Sequence, residues 1–357
     1  MIYEFSLSTR VVFGLHASEK VASHIQKAGR SMPRSVLVVT TGDGWSEDPV
    51  KRISDTLLEH GSKSVRIFNR VQPNPDFSCV KRCVLACRKS KADAVIAFGG
   101  GSAIDAAKCA AHESGTEYLI TIPTTAGTGS EISPWAVITD QKSRKKLSMI
   151  KNTPDLAILD PLLTLSLPPM HTLACGIDAF SHALESYVSK SANSFTDAIA
   201  LHAMELIGKN LETAVRDGKT IQARKEILEG SLLSGMAMLH SGLGLIHAIA
   251  NSVGGMYHEL CHGLIIARIL AETLQYNRRD IPKDRYEKAQ TRTQALAATV
   301  QDRFSSLVEA QSVKIDEKDI PLIVERSLEN VNVFTNPRTP VGEDIENIVR
   351  RCFCVHR

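Results

Sequence analysis

One continuous stretch decides the fold: Ala94-Val-Ile-Ala-Phe-Gly-Gly-Gly-Ser-Ala-Ile-Asp-Ala-Ala-Lys108. Five apolar residues run into three glycines and then into a segment of helix-forming residues, which predicts a strand, a tight turn and a helix. Glycines in such a turn let a ligand approach the backbone closely. The first amide groups of the helix carry partial positive charge, which suits a phosphate. Ser102 and Asp105 have the spacing of a capping box, which would fix the start of the helix.

The same stretch also has an ordinary interpretation. Ile104 stands where the common dinucleotide motif G-x-G-x-x-G has its third glycine, so that motif is incomplete. A turn between a strand and a helix also uses glycine for conformational reasons alone. The rest of the chain must therefore decide whether this turn binds a phosphate.

Length and composition are those of a chain with about two domains. The 357 residues include 42 basic and 39 acidic side chains, a net charge of +3, which gives no reason to expect nucleic acid or an anionic membrane as a partner. No apolar run reaches the roughly 18 residues of a membrane span, and the first residues do not resemble a signal peptide. We therefore expect a cytoplasmic protein with reduced thiols, and Cys79, Cys83 and Cys87 on one buried helical face.

The first half of the chain alternates short apolar runs with amphipathic segments. Near-continuous apolar runs of this kind predict parallel strands covered by helices on both faces of a sheet. These runs lie at residues 36–40, 65–69, 94–98 and 118–122. Two further runs, 136–139 and 157–159, flank the basic segment 142–146, and we expect them to form a hairpin-like extension.

The second half has a different pattern. After Pro169 the apolar residues recur with helical spacing and β-branched runs are few, which predicts a mainly helical region. We therefore expect an α/β domain over residues 1–165 and a helical domain over residues 166–357.

Four residues of the second half could ligate a metal ion. Asp178 and His182 are spaced i, i+4, so both point from one face of a helix. His247 follows a glycine-rich segment, and His262 precedes Gly263. One carboxylate and three imidazoles suit Fe²⁺ or Zn²⁺. Each histidine taken alone is more often a core or surface residue, so the prediction depends on the four together.

A second candidate region is the loop Thr121-Ile-Pro-Thr-Thr-Ala-Gly-Thr-Gly-Ser-Glu131, which follows a predicted strand. Its small hydroxyl residues and glycines could follow a cofactor closely and offer hydroxyl groups to phosphate, ribose or carboxamide. A solvent loop of turn-forming residues is the alternative. Lys146 lies in a basic run, where a solvated charge and a cofactor contact are both possible.

Several motifs together resemble the iron-containing (group III) alcohol dehydrogenases, in their order along the chain and over nearly its whole length. The motifs are Gly99-Gly-Gly-Ser-Ala-Ile-Asp-Ala-Ala-Lys108, Thr121 to Glu131, Asp178-x-x-x-His182, Gly242-Leu-Gly-Leu-Ile-His247, His262-Gly263 and Thr335-Asn-Pro-Arg338. The resemblance implies a Rossmann-like dinucleotide-binding domain, a helical metal-binding domain as in dehydroquinate synthase, and a homodimer. It also implies NAD- or NADP-dependent interconversion of small alcohols with aldehydes or ketones.

Carried over by position, the resemblance implies roles for individual residues. Asp178, His182, His247 and His262 would hold the catalytic metal, with Fe²⁺ expected and Zn²⁺ the alternative. Trp135 and Asn251 would line the substrate pocket, although a core tryptophan is the alternative for Trp135. The implied cofactor-binding residues are Asn74, Gly99, Gly100, Gly101, Ser102, Asp105, Thr124, Thr125, Thr128 and Lys146.

The chain departs from the family pattern around the predicted metal ligands. Relatives often have a histidine four residues after the third ligand, but this chain has Asn251, which cannot relay a proton by titrating near neutral pH. The interval from His247 to His262 is fifteen residues, usually one more than in relatives, and Cys261 replaces a proline. His258 is therefore an alternative fourth ligand, and Cys261 a further competitor for a thiophilic ion.

Another departure concerns the choice of cofactor. Many relatives have an aspartate after the second strand that accepts the adenosine ribose hydroxyls and repels a 2′-phosphate. This chain has Thr41 or Gly42 at that place. The sequence therefore leaves NAD and NADP open.

Two rival functions remain at this stage. A lyase similar to dehydroquinate synthase would use the same two domains, but the basic residues that its phosphorylated, carboxylated substrate needs are not recognisable here. A protein that binds cofactor and metal without turnover is the second rival, suggested by Asn251. The loop from Thr121 to Glu131 favours the dehydrogenase.

Overall fold

The structure is a computed structural model that describes residues 2–309 and 314–356, and it divides into two compact units. The α/β unit comprises Ser6–Leu167, and the helical unit comprises Met1–Phe5 with Pro168–Arg357. The division lies near the expected boundary at residue 165, but the first residues belong to the helical unit. There Phe5 stacks on His240 and Phe195, with ring centroids 4.1 and 5.7 Å apart.

A six-stranded parallel sheet forms the centre of the α/β unit. Its strands, in chain order, are β1 (Arg10–Phe13), β2 (Ser35–Val39), β3 (Ser64–Phe68), β4 (Ala94–Gly99), β5 (Tyr118–Pro123) and β8 (Leu156–Leu159). The helices are α1 (Val21–Lys27), α2 (Glu47–Glu59), α3 (Phe77–Ser90) and α4 (Gly101–Ser114). The spatial order of the strands is β1-β8-β5-β4-β2-β3.

Alternate residues of each central strand enter two separate cores. In β2, Leu37 and Val39 pack with residues of α3 and α4, whereas Val36 and Val38 pack with residues of α1 and α2. A strand that is apolar at every position has no polar face to offer to water, so it needs a layer of helices on each side. The predicted sheet, covered on both faces, is confirmed.

A hairpin is present, but its second strand is not the run 157–159 that we predicted. β6 (Trp135–Asp140) pairs antiparallel with β7 (Lys145–Ile150), so the basic segment supplies the turn and the first two residues of the second strand. β8 instead joins the main sheet between β1 and β5. All four residues of β8 are apolar and buried, which suits an interior parallel strand. By contrast, half of the residues of β7 are polar and none of them is fully buried.

The strand order creates a switch point at the carboxyl ends of β2 and β4. The chain passes from β2 to β3 at the sheet edge and then crosses back to place β4 on the other side of β2. Ligands of open α/β sheets bind at such a point, because the loops that leave the two strands diverge there. The glycine turn after β4 lies at this position.

The second unit is mainly helical, as predicted. Its helices are α5 (Pro169–Val188), α6 (Ser194–Arg216), α7 (Ile221–Ser241), α8 (Leu245–Met256), α9 (His262–Asn277), α10 (Lys283–Glu309), α11 (Ile320–Leu328) and α12 (Gly342–Cys352). Short strands β9 (Lys314–Asp316) and β10 (Cys354–His356) pair in parallel. Among the described helices none could cross a membrane by itself, and only α7 with α8, bent by 105°, reaches the required length and hydropathy together.

The cysteines of α3 behave as expected of a buried helical face. Cys79, Cys83 and Cys87 are buried and free, and they pack with Cys109 of α4 in one core. Burial raises the pKa of the Cys87 thiol to about 11. Burial also raises the pKa of Cys83, so the thiols of Cys83 and Cys87 are protonated and act as small apolar groups.

Candidate metal centre and dinucleotide site

Two predicted metal ligands lie one turn apart on α5. Asp178 and His182 are 7% and 5% exposed, in a helix that is buried along most of its length. A carboxylate in such a place is costly unless charges or hydrogen-bond donors compensate it. The burial of this pair therefore requires partners from other helices.

Those partners come from the first turns of α8 and α9. His247 is the third residue of α8, and His262 is the first residue of α9. The five residues 257–261 connect the two helices and accommodate the long interval between the histidines. Gly263 packs directly on α5, since a Cβ there would lie 1.9 Å from the carbonyl oxygen of Ala174.

The imidazoles surround a single carboxylate oxygen. Asp178 Oδ1 lies 3.4 Å from Nε2 of His247, and 3.8 Å from Nε2 of both His182 and His262. Tetrahedral ligands about 2.0 to 2.1 Å from one ion would be separated from each other by about 3.3 to 3.4 Å. The observed spacings are therefore near those of a coordination shell.

The donor set fits a divalent cation. Ligand atoms of Asp178, His247 and His262 all lie within 4.8 Å of one another. Asp178 Oδ1 and His247 Nε2 are buried and accept or donate no hydrogen bond within the described structure. His182 contacts the same oxygen and stacks on His247, with ring centroids 4.5 Å apart, although it is outside the three-residue set.

Electrostatics keep the carboxylate charged. Burial by itself would raise the pKa of Asp178, but the three histidines outweigh it and hold that pKa well below its usual range. Burial also opposes charge on His247, yet the carboxylates of Glu185 and Asp178 raise its pKa to about 9. The site is thus an anionic centre that attracts either a proton or a metal ion.

The alternative ligands do not join the cluster. His258 is exposed, and its Nδ1 lies 4.0 Å from the carboxylate of the neighbouring Glu259. Cys261 caps the start of α9 by its backbone, and neither residue belongs to the set of described ligand atoms that converge. His262 is therefore the better candidate of the three.

Glu185 is a buried residue of the site that the sequence analysis missed. Its Oε2 lies 2.6 Å from Nδ1 of His247, and its Oε1 accepts a hydrogen bond of 2.7 Å from the Ile246 amide. A signal was present, because Glu185 follows His182 by three residues and continues the face that carries Asp178.

The predicted dinucleotide residues converge in the α/β unit. A Cβ on Gly100 would lie 3.0 Å from Thr125 Cγ2, and one on Gly101 would lie 2.8 Å from Thr128 Cγ2. Glycine is therefore required here because the loop after β5 closes on the glycine turn. The amide of Thr124 also donates to the carbonyl of Gly99 over 3.1 Å.

Asn74 contacts the start of α4 directly, whereas Lys146 is linked to the same region only through the hairpin. The Asn74 amide donates to Ser102 Oγ over 3.3 Å, and Asn74 itself has a left-handed φ of 50°. Lys146 pairs with Thr139 in the hairpin, and the Thr139 amide donates to the carbonyl of Pro75. The structure thus brings together segments that are distant in sequence.

The predicted capping box at α4 is wrong. Gly100 is the N-cap, and no side chain caps the helix. Asp105 instead accepts hydrogen bonds from Ser130 Oγ (2.5 Å) and from the Val137 amide (2.9 Å). Its carboxylate therefore fastens the following loop and hairpin, while the first amides of α4 have no side-chain cap.

Lys108 belongs to the same buried hydrogen-bond network as Asp105. It is fully buried, and its ammonium donates to Ser130 Oγ (2.6 Å) and to the carbonyl of Trp135 (2.7 Å), 3.7 Å from Asp105 Oδ1. Burial lowers the pKa of Lys108, opposed by the nearby carboxylates of Asp105 and Glu131. This network therefore fixes the loop after β5, which carries Thr124, Thr125 and Thr128.

The remaining predicted residues lie at accessible positions. Trp135 begins β6 and is 40% exposed. Asn251 lies one turn after His247 on α8 and is half-buried. Each belongs to a different unit of the chain.

The turn after β2 contains a carboxylate after all. Gly42 has φ +82°, and a Cβ there would lie 2.3 Å from the carbonyl oxygen of Asn69, so a side chain is excluded. Asp43 is exposed, and its Oδ2 accepts a hydrogen bond of 2.7 Å from Thr41 Oγ1. The expected loss of negative charge at this turn is therefore only partial.

Comparison with known proteins covers both units. Residues 8–161 match the family described as iron-containing alcohol dehydrogenase, and residues 172–353 match the C-terminal domain of the Fe-containing alcohol dehydrogenase family. A crystal structure of 1,3-propanediol oxidoreductase superposes with a TM-score of 0.88 at 30% identity, over 99% of this chain and 100% of that chain.

Similar sequences extend over almost the whole chain. The chain is 33% identical to the 1-propanol dehydrogenase PduQ of Citrobacter freundii, with 97% of this chain and 98% of the relative covered. It is 31% identical to 1,3-propanediol dehydrogenase of Klebsiella pneumoniae, with 96% of each covered. It is 32% identical to NAD-dependent methanol dehydrogenase of Bacillus methanolicus, with 97% and 98% covered. The chain therefore belongs to the iron-containing alcohol dehydrogenase family of oxidoreductases.

Proposed function

We propose that this chain is a metal-dependent alcohol dehydrogenase that transfers hydride between NAD or NADP and a small alcohol or carbonyl compound. The observation that carries the proposal is the convergence of the predicted ligands on one buried oxygen, Asp178 Oδ1. A carboxylate with three imidazoles is costly to bury without a cation, and it is the ligand chemistry of Fe²⁺ and Zn²⁺.

In this proposal Asp178, His182, His247 and His262 hold the ion, and Fe²⁺ is the expected metal. A bound divalent ion supplies a Lewis acid, which acidifies an alcohol and polarises a carbonyl. Asp178 stays ionised because its pKa is held low, and His247 keeps a fixed ring orientation because Glu185 accepts from its Nδ1. The helices therefore present a preformed ligand set.

The α/β unit would bind the dinucleotide at its switch point. The uncapped amides of α4 would donate hydrogen bonds to the pyrophosphate, and Thr124, Thr125 and Thr128 would offer hydroxyls from the facing loop. Asn74, Ser102 and Lys146 lie on the neighbouring segments. Both carboxylate oxygens of Asp105 already accept hydrogen bonds within the protein, so its role would be to hold the loop in place.

The expected substrates are short, uncharged alcohols and aldehydes. The relatives described above are named for propanol, propanediol and methanol. In the proposal, Trp135 adds an apolar wall that favours small substrates, and Asn251 occupies a position that in relatives often holds a histidine. Proton transfer would then use another route than an imidazole at this position.

Cofactor choice follows from the turn after β2. The aspartate common in relatives is absent at Thr41 and Gly42, but Asp43 keeps a carboxylate within the same turn. We therefore propose that NADP binds within about tenfold of NAD, since one exposed repulsion contributes roughly 1 to 2 kcal/mol. A preference beyond a thousandfold, in a fluorescence titration, would show a further element that excludes the phosphate.

The decisive experiment follows nicotinamide absorbance with purified, metal-loaded protein. Consumption of NADH or NADPH with short aldehydes, and its formation with short alcohols, would support the dehydrogenase. Binding of cofactor and metal without turnover would favour the non-catalytic alternative, and elimination from a phosphorylated substrate would favour the lyase. A cytoplasmic location and a homodimer stay predictions, and sedimentation analysis would test the dimer.

A further inference from the structure

The C-terminal motif Thr335-Asn-Pro-Arg338 contributes no ligand atom to the proposed metal centre, yet one of its side chains lies near it. Asn336 is 1% exposed and faces the start of α8 from the short segment between α11 and α12. A buried amide in a loop is costly unless every polar group has a partner. The contacts of Asn336 show what it holds.

Both ends of the Asn336 amide are engaged. Its Oδ1 accepts from the Leu245 amide and from Asn277 Nδ2, each over 3.1 Å. Its Nδ2 donates to Asn277 Oδ1 (2.8 Å) and to the carbonyl of Arg338 (2.6 Å). Because one end must accept from a backbone amide and the other must donate to a carbonyl, the orientation of this side chain is fixed.

Glu185 holds the next residues of the same helix. Ile246 donates its amide to Oε1, and His247 lies with Nδ1 against Oε2. Two successive amides at the start of α8 are therefore bound by side chains 91 and 61 residues away in sequence. The N-cap itself is Gly244, which has no side chain to satisfy them.

The chain leading into α8 is shaped to admit these partners. A Cβ on Gly244 would lie 2.8 Å from Asn336 Oδ1 and 2.9 Å from Glu185 Oε1. Gly242 has φ +74°, and a Cβ there would lie 2.8 Å from Thr335 Oγ1. Thr335 also donates its hydroxyl to the carbonyl of Leu243. The glycines allow the C-terminal motif to close on this turn.

We propose that Asn336 and Glu185 are positioning residues that together set the first turn of α8, and with it the direction and tautomer of His247 toward the metal. The proposal rests on the metal centre inferred above. An ionised carboxylate can only accept hydrogen bonds, so Nδ1 of His247 carries a proton and Nε2 is the atom left to face Asp178.

Glu185→Gln separates this role from simple packing. Glutamine has nearly the same shape but only one acceptor, whereas the Ile246 amide and His247 Nδ1 both need one. If the amide nitrogen faces His247, it favours the tautomer with a proton on Nε2, which cannot bind a metal. Removal of such an outer partner typically weakens metal affinity by about 10- to 100-fold.

The experiment measures the dissociation constant for Zn²⁺ of the full-length, metal-free protein by competition with a chromophoric chelator. We expect Glu185→Gln to raise it about 10- to 100-fold and Asn336→Leu to raise it several-fold. The visible spectrum of the Co²⁺-substituted protein should change in both variants, because the position of His247 changes. The matched control is Arg338→Gln, from the same motif, which contacts Tyr276 and Asp344 and not α8.

Thermal unfolding of the metal-free variants separates positioning from a general loss of structure. Arg338→Gln should lower the melting temperature and leave the Zn²⁺ dissociation constant unchanged. If Asn336→Leu does not fold, Asn336→Ala replaces it, since it also lacks an acceptor for the Leu245 amide and should give the same several-fold rise. A dissociation constant within twofold of wild type in folded Glu185→Gln, with an unchanged Co²⁺ spectrum, would overturn the proposal. A wild-type protein that binds neither ion would instead refute the metal centre itself.

Discussion

The two units build their proposed sites in contrasting ways. In the α/β unit the binding surface consists of backbone amides, glycines and small hydroxyl residues, and its central turn is continuous in sequence from Gly99 to Ser102. In the helical unit the site consists of four side chains from three helices, held by Glu185 of α5 and by Asn336 from the segment between α11 and α12. A site made of backbone depends on local conformation, whereas a site made of side chains depends on what orients them.

The largest effect should come from a ligand of the metal centre. His262→Ala removes one of four proposed ligands, and we expect loss of the ion with at least about a thousandfold loss of kcat/KM. His258→Ala is the control, because this nearby histidine is exposed and outside the cluster. Elemental analysis of both variants decides: full metal content in folded His262→Ala would remove this residue from the ligand set.

The next largest effect concerns the buried pair beneath the dinucleotide loop. Lys108→Met leaves Asp105 buried without its cationic neighbour, which should cost about 3 kcal/mol and lower the melting temperature by several degrees. The double variant Lys108→Met with Asp105→Asn should recover part of that loss, since no charge is then stranded. If the single variant melts like wild type, this network does not hold the loop.

Sequence alone predicted the parallel sheet, because apolar runs without alternation allow few other arrangements. It failed at the hairpin, where the basic segment was expected to lie between the two paired runs, whereas its residues Lys145 and Lys146 begin the second strand, β7. The capping box failed because the chain enters α4 through Gly100, which leaves Ser102 inside the helix. In both cases the structure depends on tertiary contacts, which set the strand pairing of the hairpin and the direction in which the chain enters α4.

The candidate metal ligands were predictable because spacing and residue type limit which side chains can meet. Their supports were not, because Glu185 and Asn336 act on backbone amides that are distant in sequence. The spacing of Glu185 from His182 is a usable signal only once the helix face is known. The role of the Thr335 to Arg338 motif required the structure.

A substitution in the glycine turn should weaken cofactor binding and leave metal binding unchanged, and its effect should be smaller than those above. Gly101→Ala places a methyl group 2.8 Å from Thr128 Cγ2 and should raise the dissociation constant for NADH about tenfold. The affinity for Zn²⁺ should stay unchanged, because the metal ligands lie in the other unit. Gly208→Ala, where a Cβ meets nothing within 4 Å, is the matched control. Equal NADH affinity in both variants would contradict the close approach of loop and turn.

The smallest expected effect concerns cofactor selectivity. Asp43→Asn removes the carboxylate that accepts from Thr41, and should shift the NADP-to-NAD affinity ratio about three- to tenfold toward NADP, because the group is exposed and screened. The shift should shrink as ionic strength rises. A ratio that does not move at low salt would place the adenosine ribose away from this turn.

The central claim is that one divalent ion binds where α5, α8 and α9 converge, and anomalous X-ray scattering from crystals of the metal-loaded protein tests it most directly. The account predicts a single strong anomalous peak about 2.0 to 2.2 Å from Asp178 Oδ1 and from the Nε2 atoms of His182, His247 and His262. A fully loaded crystal with its peak elsewhere, or with His258 as a ligand in place of His262, would contradict it.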